Sequence, residues 1–204
     1  MVASDIAEAS LTVFREGISR FASFNETEWA GLKPYLKSSI LKKKDHFAVH
    51  GKICDEIGFI IKGSVRYYHV KDGLEITGYF SFENEFVSSY KSYLTQQPGM
   101  SYIQALEPTE LIVISYANMQ LMLNSPLLAY KMERFGRLVA EHYICCYEER
   151  ITSFLIQTPE ERYMQMLENE GNIMLRVPQH YIANFLGITP VSLSRIRKRT
   201  LIHG

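Results

Sequence analysis

Gln179-His-Tyr-Ile-Ala-Asn-Phe-Leu-Gly-Ile-Thr-Pro-Val-Ser-Leu-Ser-Arg-Ile-Arg-Lys198 reads as helix, turn, helix. Ile182, Leu186, Ile188, Leu193 and Ile196 fall where two crossed helices share a core. Ala183 is small where the second helix must cross closely, and Gly187 can take the positive φ that the turn demands. Thr189 is expected to cap the second helix, with Pro190 in its first turn. With Leu193 and Ile196 inward, Pro190, Val191, Ser194, Arg195 and Lys198 face outward. That first turn has no carboxylate, as suits a helix end that meets phosphate through its dipole and free N–H groups. Arg195 has the fork to pair with guanine O6 and N7 in a major groove. Ser192 and Ser194 offer hydroxyls to phosphate or base, while Arg197, Lys198 and Arg199 suit the DNA backbone. The plainer alternative is a helical hairpin with a solvated basic face.

Charge separates this segment from the rest of the chain. The 204 residues carry 22 Lys+Arg and 22 Asp+Glu. Residues 171–204 hold Arg176, Arg195, Arg197, Lys198 and Arg199 and no acid, a net of +5, which leaves 17 basic and 22 acidic groups elsewhere. A basic end on an acidic body points to a polyanion-binding module attached to something else. At 47% hydrophobic and 22% charged residues, the composition excludes disorder and collagen-like repeats. No run approaches the ~20 apolar residues of a bilayer span. Asp5, Glu8, Arg15 and Glu16 interrupt any signal-peptide core. Cys54, Cys145 and Cys146 match neither a disulfide framework nor a zinc spacing, so a cytoplasmic protein with reduced thiols and neither metal nor cofactor is expected.

Working back toward the N-terminus, Thr158-Pro159-Glu160-Glu161 starts a helix with a hydroxyl cap, a first-turn proline and a capping-box glutamate. Residues 117–156 are expected to be helical. Leu128, Met132, Phe135, Val139, His142 and Cys146 alternate steps of four and three, the seam of a short coiled coil, which is read here as a dimer interface. Its rival is a single helix lying on its own β-domain. Residues 39–116 alternate in short β-rich runs, with Asp72-Gly73 as a tight hairpin turn, Gly51 and Gly63 at strand corners and Glu110-Leu-Ile-Val-Ile-Ser as a closing strand. About eight short strands there suggest a β-roll. Residues 4–37 read as helical, with Asn25 or Thr27 as a cap before Trp29.

The expected fold is therefore α+β: an N-terminal antiparallel, jelly-roll-like β-roll with helices (1–116), a long dimerisation helix (117–157) and a C-terminal helix-turn-helix domain (158–204); a sensor role for the roll and a winged-helix-like type for the last domain are implied by the family that this order resembles. With the chain ending soon after the motif, any wing is expected from Asn172–Val177.

This order of elements, with Gly51 and Gly63 at the roll corners, the Leu128–Ile151 helix and the run Tyr181–Lys198, resembles the CRP/FNR family of bacterial transcription regulators. The run itself is similar to the variant found in Bacteroidetes-type members. The resemblance implies a homodimer on double-stranded DNA, with recognition helices in successive major grooves of a rough palindrome, half-sites about 34 Å apart. It also leaves room for RNA polymerase and a small-molecule effector as partners. In many members the position of Val191 is a base-reading glutamate, a contact this chain lacks.

Cyclic-nucleotide binders of the family hold the phosphate with a Gly-Glu loop and an Arg-Ser pair. The matching stretches here are Phe82–Ser89 and Pro98–Ala105, and no Lys or Arg occurs between Lys91 and Lys131. A buried phosphate without a cation is costly, and Glu83 and Glu85 would add to that cost, so cyclic AMP and cyclic GMP are not expected as ligands. A different effector would sit among Glu83, Glu85, Ser88, Tyr90, Tyr93, Met100, Ser101 and Tyr102. For the aromatics of that set, a place in the core is the favoured reading.

Two other classes compete. In a cupin-like metal enzyme His46, His50 and Glu56 would be ligands, but H-x-x-x-H departs from the usual H-x-H pair. No hydrolase, P-loop, zincin or dinucleotide motif occurs, so no catalytic residue is assigned. In an effector-binding sensor without DNA output, the helical hairpin would bind protein, and nothing would require it to exclude carboxylates.

Overall fold

Capping chemistry and alternation explain most element boundaries. The computed structural model describes residues 6–169 and 173–203. Helix α1 (Glu8–Ser19) buries Leu11, Phe14 and Ile18 at helical spacing. Helix α2 (Glu26–Leu32) starts at Asn25, the first of the two expected caps, through a full capping box with Glu28, and buries Trp29 and Leu32.

Eight strands follow: β1 (Lys37–Leu41), β2 (His46–Ala48), β3 (Glu56–Lys62), β4 (Val65–Lys71), β5 (Leu74–Ser81), β6 (Phe86–Val87), β7 (Tyr102–Ala105) and β8 (Thr109–Ser115). They form two four-stranded sheets, ordered β1-β8-β3-β6 and β2-β7-β4-β5. The pairings are antiparallel, with Ile60 opposite Leu111 and Val65 opposite Ala105. Side chains from both sheets fill the interior: Ala48, Cys54, Ile60, Val65, Val87, Ile103, Leu111 and Val113. Each fully buried aliphatic side chain there contributes about 1.5–3 kcal/mol.

Both residues of the Asp72-Gly73 turn have positive φ, 53° and 76°, as a two-residue hairpin of matching twist requires. Gly63 has φ +105°, and a Cβ there would lie 2.7 Å from the Pro108 carbonyl oxygen. A short helix, α3 (Tyr90–Thr95), interrupts the expected run of strands. Six residues are too few to carry a helical apolar stripe.

The expected helix over 117–156 is two helices, α4 (Tyr116–Leu123) and α5 (Ala129–Ile156). They part around Ser125-Pro126, where proline lacks the N–H that a continuous helix needs. Helices α6 (Pro159–Asn169), α7 (Ile173–Arg176), α8 (Gln179–Phe185) and α9 (Pro190–His203) complete the chain. Thr158 and Glu161 form the anticipated capping box, the Thr158 N–H donating to Glu161 at 2.7 Å. Those hydrogen bonds hold the Glu161 carboxyl below its usual pKa. Among the described residues, no helix is long and apolar enough to cross a membrane.

By internal contacts the chain groups into two units. One comprises 1–68 and 80–141, and the other 69–79 and 142–204. The tip of the β4–β5 hairpin thus belongs with the C-terminal helices.

Candidate nucleic-acid interface

Helices α8 and α9 meet over Ile182, Ala183, Leu186 and Leu193, all fully buried, with Ile196 nearly so. At the turn, Gly187 adopts φ +72°. The Ile188 N–H donates to the Ala183 carbonyl at 2.9 Å, and the Gly187 N–H to that of Asn184 at 3.0 Å. This pair of bonds is a Schellman cap with glycine in the left-handed position. Thr189 then caps α9, accepting from the Ser192 N–H at 3.1 Å.

The outward face is as the spacing requires. Thr189, Pro190, Val191, Ser194, Arg195 and Lys198 are exposed, and Ser192 and Arg197 are half-buried. The Ser192 hydroxyl lies 3.0 Å from that of Thr189, within the cap. Among the described residues, Arg195, Arg197 and Lys198 have no carboxylate partner. Arg199 departs from the expected set of free cations, because its guanidinium pairs with Glu160 of α6 at 2.7 Å. Such an exposed pair is weak, about 0–1 kcal/mol, and Arg199 remains on the surface.

The expected wing from Asn172–Val177 is corrected. Ile173–Arg176 is a helical turn, with the Val177 N–H donating to the Ile173 carbonyl at 2.8 Å. Ile173 and Val177, four apart, are both buried, which suits a helix face and not a strand. Asn172 lies outside the described residues.

Asn184, within the helix-turn-helix run, has a specific task. Its side-chain amide donates to the Glu75 carbonyl at 2.8 Å and its oxygen accepts from the Thr77 N–H. Those are the backbone groups that the edge strand β5 would offer a further strand. Arg150 and Arg162 also bind α8, and neither was singled out by spacing.

Most of the expected effector residues make contacts within the roll itself. Glu83 accepts from the Gly63 N–H at 2.8 Å, and Glu85 from that of Phe82 at 3.0 Å. The Ser88 hydroxyl donates to the Glu56 carbonyl, and the Ser101 hydroxyl lies 3.5 Å from that of Ser89. Met100 is 71% exposed. Tyr93 is buried edge-on against Tyr116, and burial raises its pKa. Tyr102 stacks on Tyr68 at 4.8 Å. Tyr90 lines an apolar cavity of about 50 Å³ beside Phe135 and Val139. Arg66, 1% exposed, donates to Gln104 and lies under the Tyr68 ring. It alternates with the inward Val65 and Tyr67, so its side chain leaves the opposite face of the sheet from the filled interior.

The expected dimer seam needs correction in its first half. Leu128, Met132 and Phe135 are buried within their own chain, Phe135 against Phe21 and Phe86. Val139 lines the cavity with its own sheet. His142 is exposed and Cys146 half-buried. The large apolar side chains that α5 leaves open include Ile144, Ile151 and Leu155.

The metal-enzyme alternative finds no support. The described residues contain no group of three His, Cys, Asp or Glu able to hold a metal. His46 bonds the Tyr68 hydroxyl at 3.0 Å and His50 the Met100 carbonyl at 3.0 Å, whereas Glu56 belongs to the other sheet.

Neither the protein-family models nor the curated protein sequences compared with the chain match it. Solved structures do. CLP, the c-di-GMP responsive global regulator of Xanthomonas campestris, matches with a TM-score of 0.69 at 14% identity, over 88% of this chain and 93% of that one. FixK2 from Bradyrhizobium japonicum matches at 0.67 and 15%, over 83% and 86%. A candidate transcriptional regulator of the CRP/FNR family from Eubacterium rectale matches at 0.65 and 20%, over 89% and 85%. At these identities the likeness concerns architecture, and the chain has the fold of the CRP/FNR regulators, a β-roll, a long helix and a helix-turn-helix in that order.

Proposed function

We propose that the chain is a sequence-specific DNA-binding transcription regulator that acts as a homodimer on a roughly palindromic operator. The observation that carries this reading is the outward face of α9. It combines an exposed helix start without carboxylates, Arg195 and Lys198 without acidic partners among the described residues, and an apolar inner face that fixes their direction. Arg195 reads a base pair, and Arg197 and Lys198 hold phosphates. The dimer forms along α5, where Ile144, Ile151 and Leu155 repeat at steps of seven and four on one open face.

Cyclic AMP is not the signal. The roll interior is filled by aliphatic side chains, Arg66 leaves the opposite face of its sheet, and Glu83 and Glu85 add negative charge to the stretch that matches the family's phosphate loop, each accepting a backbone N–H. The protein performs no catalysis and works in the cytoplasm.

Selection of bound fragments from random duplex DNA tests the reading. The expected product is a two-fold symmetric site. With Arg195→Ala, specificity should relax at one base pair per half-site by about 1–3 kcal/mol. Recovery of no preferred sequence, or of the same preference with Arg195→Ala, overturns it.

A further inference from the structure

Four carbonyls at the end of any α-helix lack a partner within the helix. In α8 each has one. Those of Ala183 and Asn184 accept the Ile188 and Gly187 N–H groups of the turn. The Phe185 carbonyl accepts from Arg150 of α5 at 2.5 Å, and the Leu186 carbonyl from Arg162 of α6 at 2.9 Å. Arg162 also donates to the Gln157 carbonyl at 2.6 Å, gripping the two-residue link between α5 and α6. The Arg150 guanidinium lies 3.5 Å from the centroid of the Phe185 ring and 4.3 Å from that of Phe154. Arg162 lies 4.6 Å from the same Phe154 ring. A Cβ on Gly187 would sit 3.2 Å from Phe154, so the turn itself is pressed against this cluster.

Capping alone does not call for two guanidiniums. Water serves most helix ends, and among the described residues neither Arg150 nor Arg162 has a carboxylate to offset its burial. Arg162 is 8% exposed. Burial, with the charge of Arg162 beside it, lowers the pKa of Arg150 to about 10. A cationic pair held at that cost gives direction: each planar fork fixes one carbonyl, and the shared ring fixes the forks.

We propose that Arg150 and Arg162 are positioning residues that set the angle at which the recognition helix leaves α5. In the dimer they thereby set the separation of the two recognition helices. This rests on the reading of the chain as a dimeric DNA-binding regulator.

The test compares wild type with Arg150→Met, which keeps an apolar stem among the rings. The probes are a duplex holding one selected half-site, the full selected site, and the full site with two base pairs inserted at its centre. Wild type should lose at least about tenfold in affinity on insertion, because the half-sites rotate out of register. Arg150→Met should bind the single half-site as wild type does and lose less than about threefold on insertion. An unchanged insertion penalty, or equal loss on all three probes, overturns the proposal. Arg150→Lys, which keeps a donor but not the fork, carries the same comparison if Arg150→Met does not fold.

Absence of any insertion penalty in wild type would instead refute the dimeric reading. The positioning role then rests on spin labels at Glu149→Cys and Ser194→Cys, with Cys145 and Cys146 replaced by Ser. Their distance distribution should broaden with Arg150→Met, and an unchanged width overturns the proposal.

Discussion

Salt dependence is the sharpest consequence of the α9 surface. Arg195, Arg197 and Lys198 have no acidic partner among the described residues, whereas Arg199 is tied to Glu160. Of these, Arg197 and Lys198 are directed at phosphates, so two heads bring about four such cations to the duplex, and log K should fall against log salt with a slope of about −3.6. Between 50 and 200 mM salt, affinity should drop by about 10²-fold. Lys198→Ala removes one cation per head, and the slope should ease to about −1.8, with a drop of about tenfold. Glu160→Gln should act the other way, releasing Arg199 and steepening the slope by up to about −1.8. Fluorescence anisotropy titration of a labelled operator over a salt series measures all three. A wild-type slope shallower than about −2, or one that Lys198→Ala leaves unmoved, would show that this face does not meet the phosphates.

Other expectations concern stability. Leu193→Ala empties a fully buried site between α8 and α9 and should cost about 2–5 kcal/mol in urea unfolding of the C-terminal unit. A loss under about 1 kcal/mol would mean that the two helices do not share the core described. Gly63→Ala meets both a left-handed φ and the Pro108 carbonyl, and should destabilise the roll by about 2–5 kcal/mol. At Gly78, where nothing lies within 4 Å of a Cβ, the same change should be neutral or mildly stabilising, and equal effects at both sites would remove the steric argument. Burial, with Asp55 beside it, raises the pKa of Glu56. The folded state therefore penalises the charged form, fully so above the raised folded pKa and not at all below the ordinary value. Glu56→Gln should stabilise the protein at neutral pH, with the gain vanishing as pH falls through that interval; a gain independent of pH would exclude the carboxylate as its cause.

Much of this architecture is legible in the chain because local chemistry specifies it. Asp72-Gly73 tolerates the two positive φ values that a tight turn between twisted strands requires. Thr158 with Glu161, and Asn25 with Glu28, satisfy orphan N–H groups within four residues. The helix-turn-helix combines such signals with five apolar positions whose spacing admits one packing, so its outward cations follow by elimination.

What spacing leaves open is the identity of the packing partner. The stripe from Leu128 to Cys146 announces a covered face, but periodicity is blind to whether the cover comes from the same chain or a second one. The folded chain buries Leu128, Met132 and Phe135 itself and leaves Ile144, Ile151 and Leu155 open. Arg150, Arg162 and Asn184 are as obscure in the sequence, since each serves backbone groups 24 to 109 residues away. Backbone carbonyls and strand edges carry no residue type, so no pattern of side chains marks them as partners. Only the path of the chain in space brings them within hydrogen-bond reach.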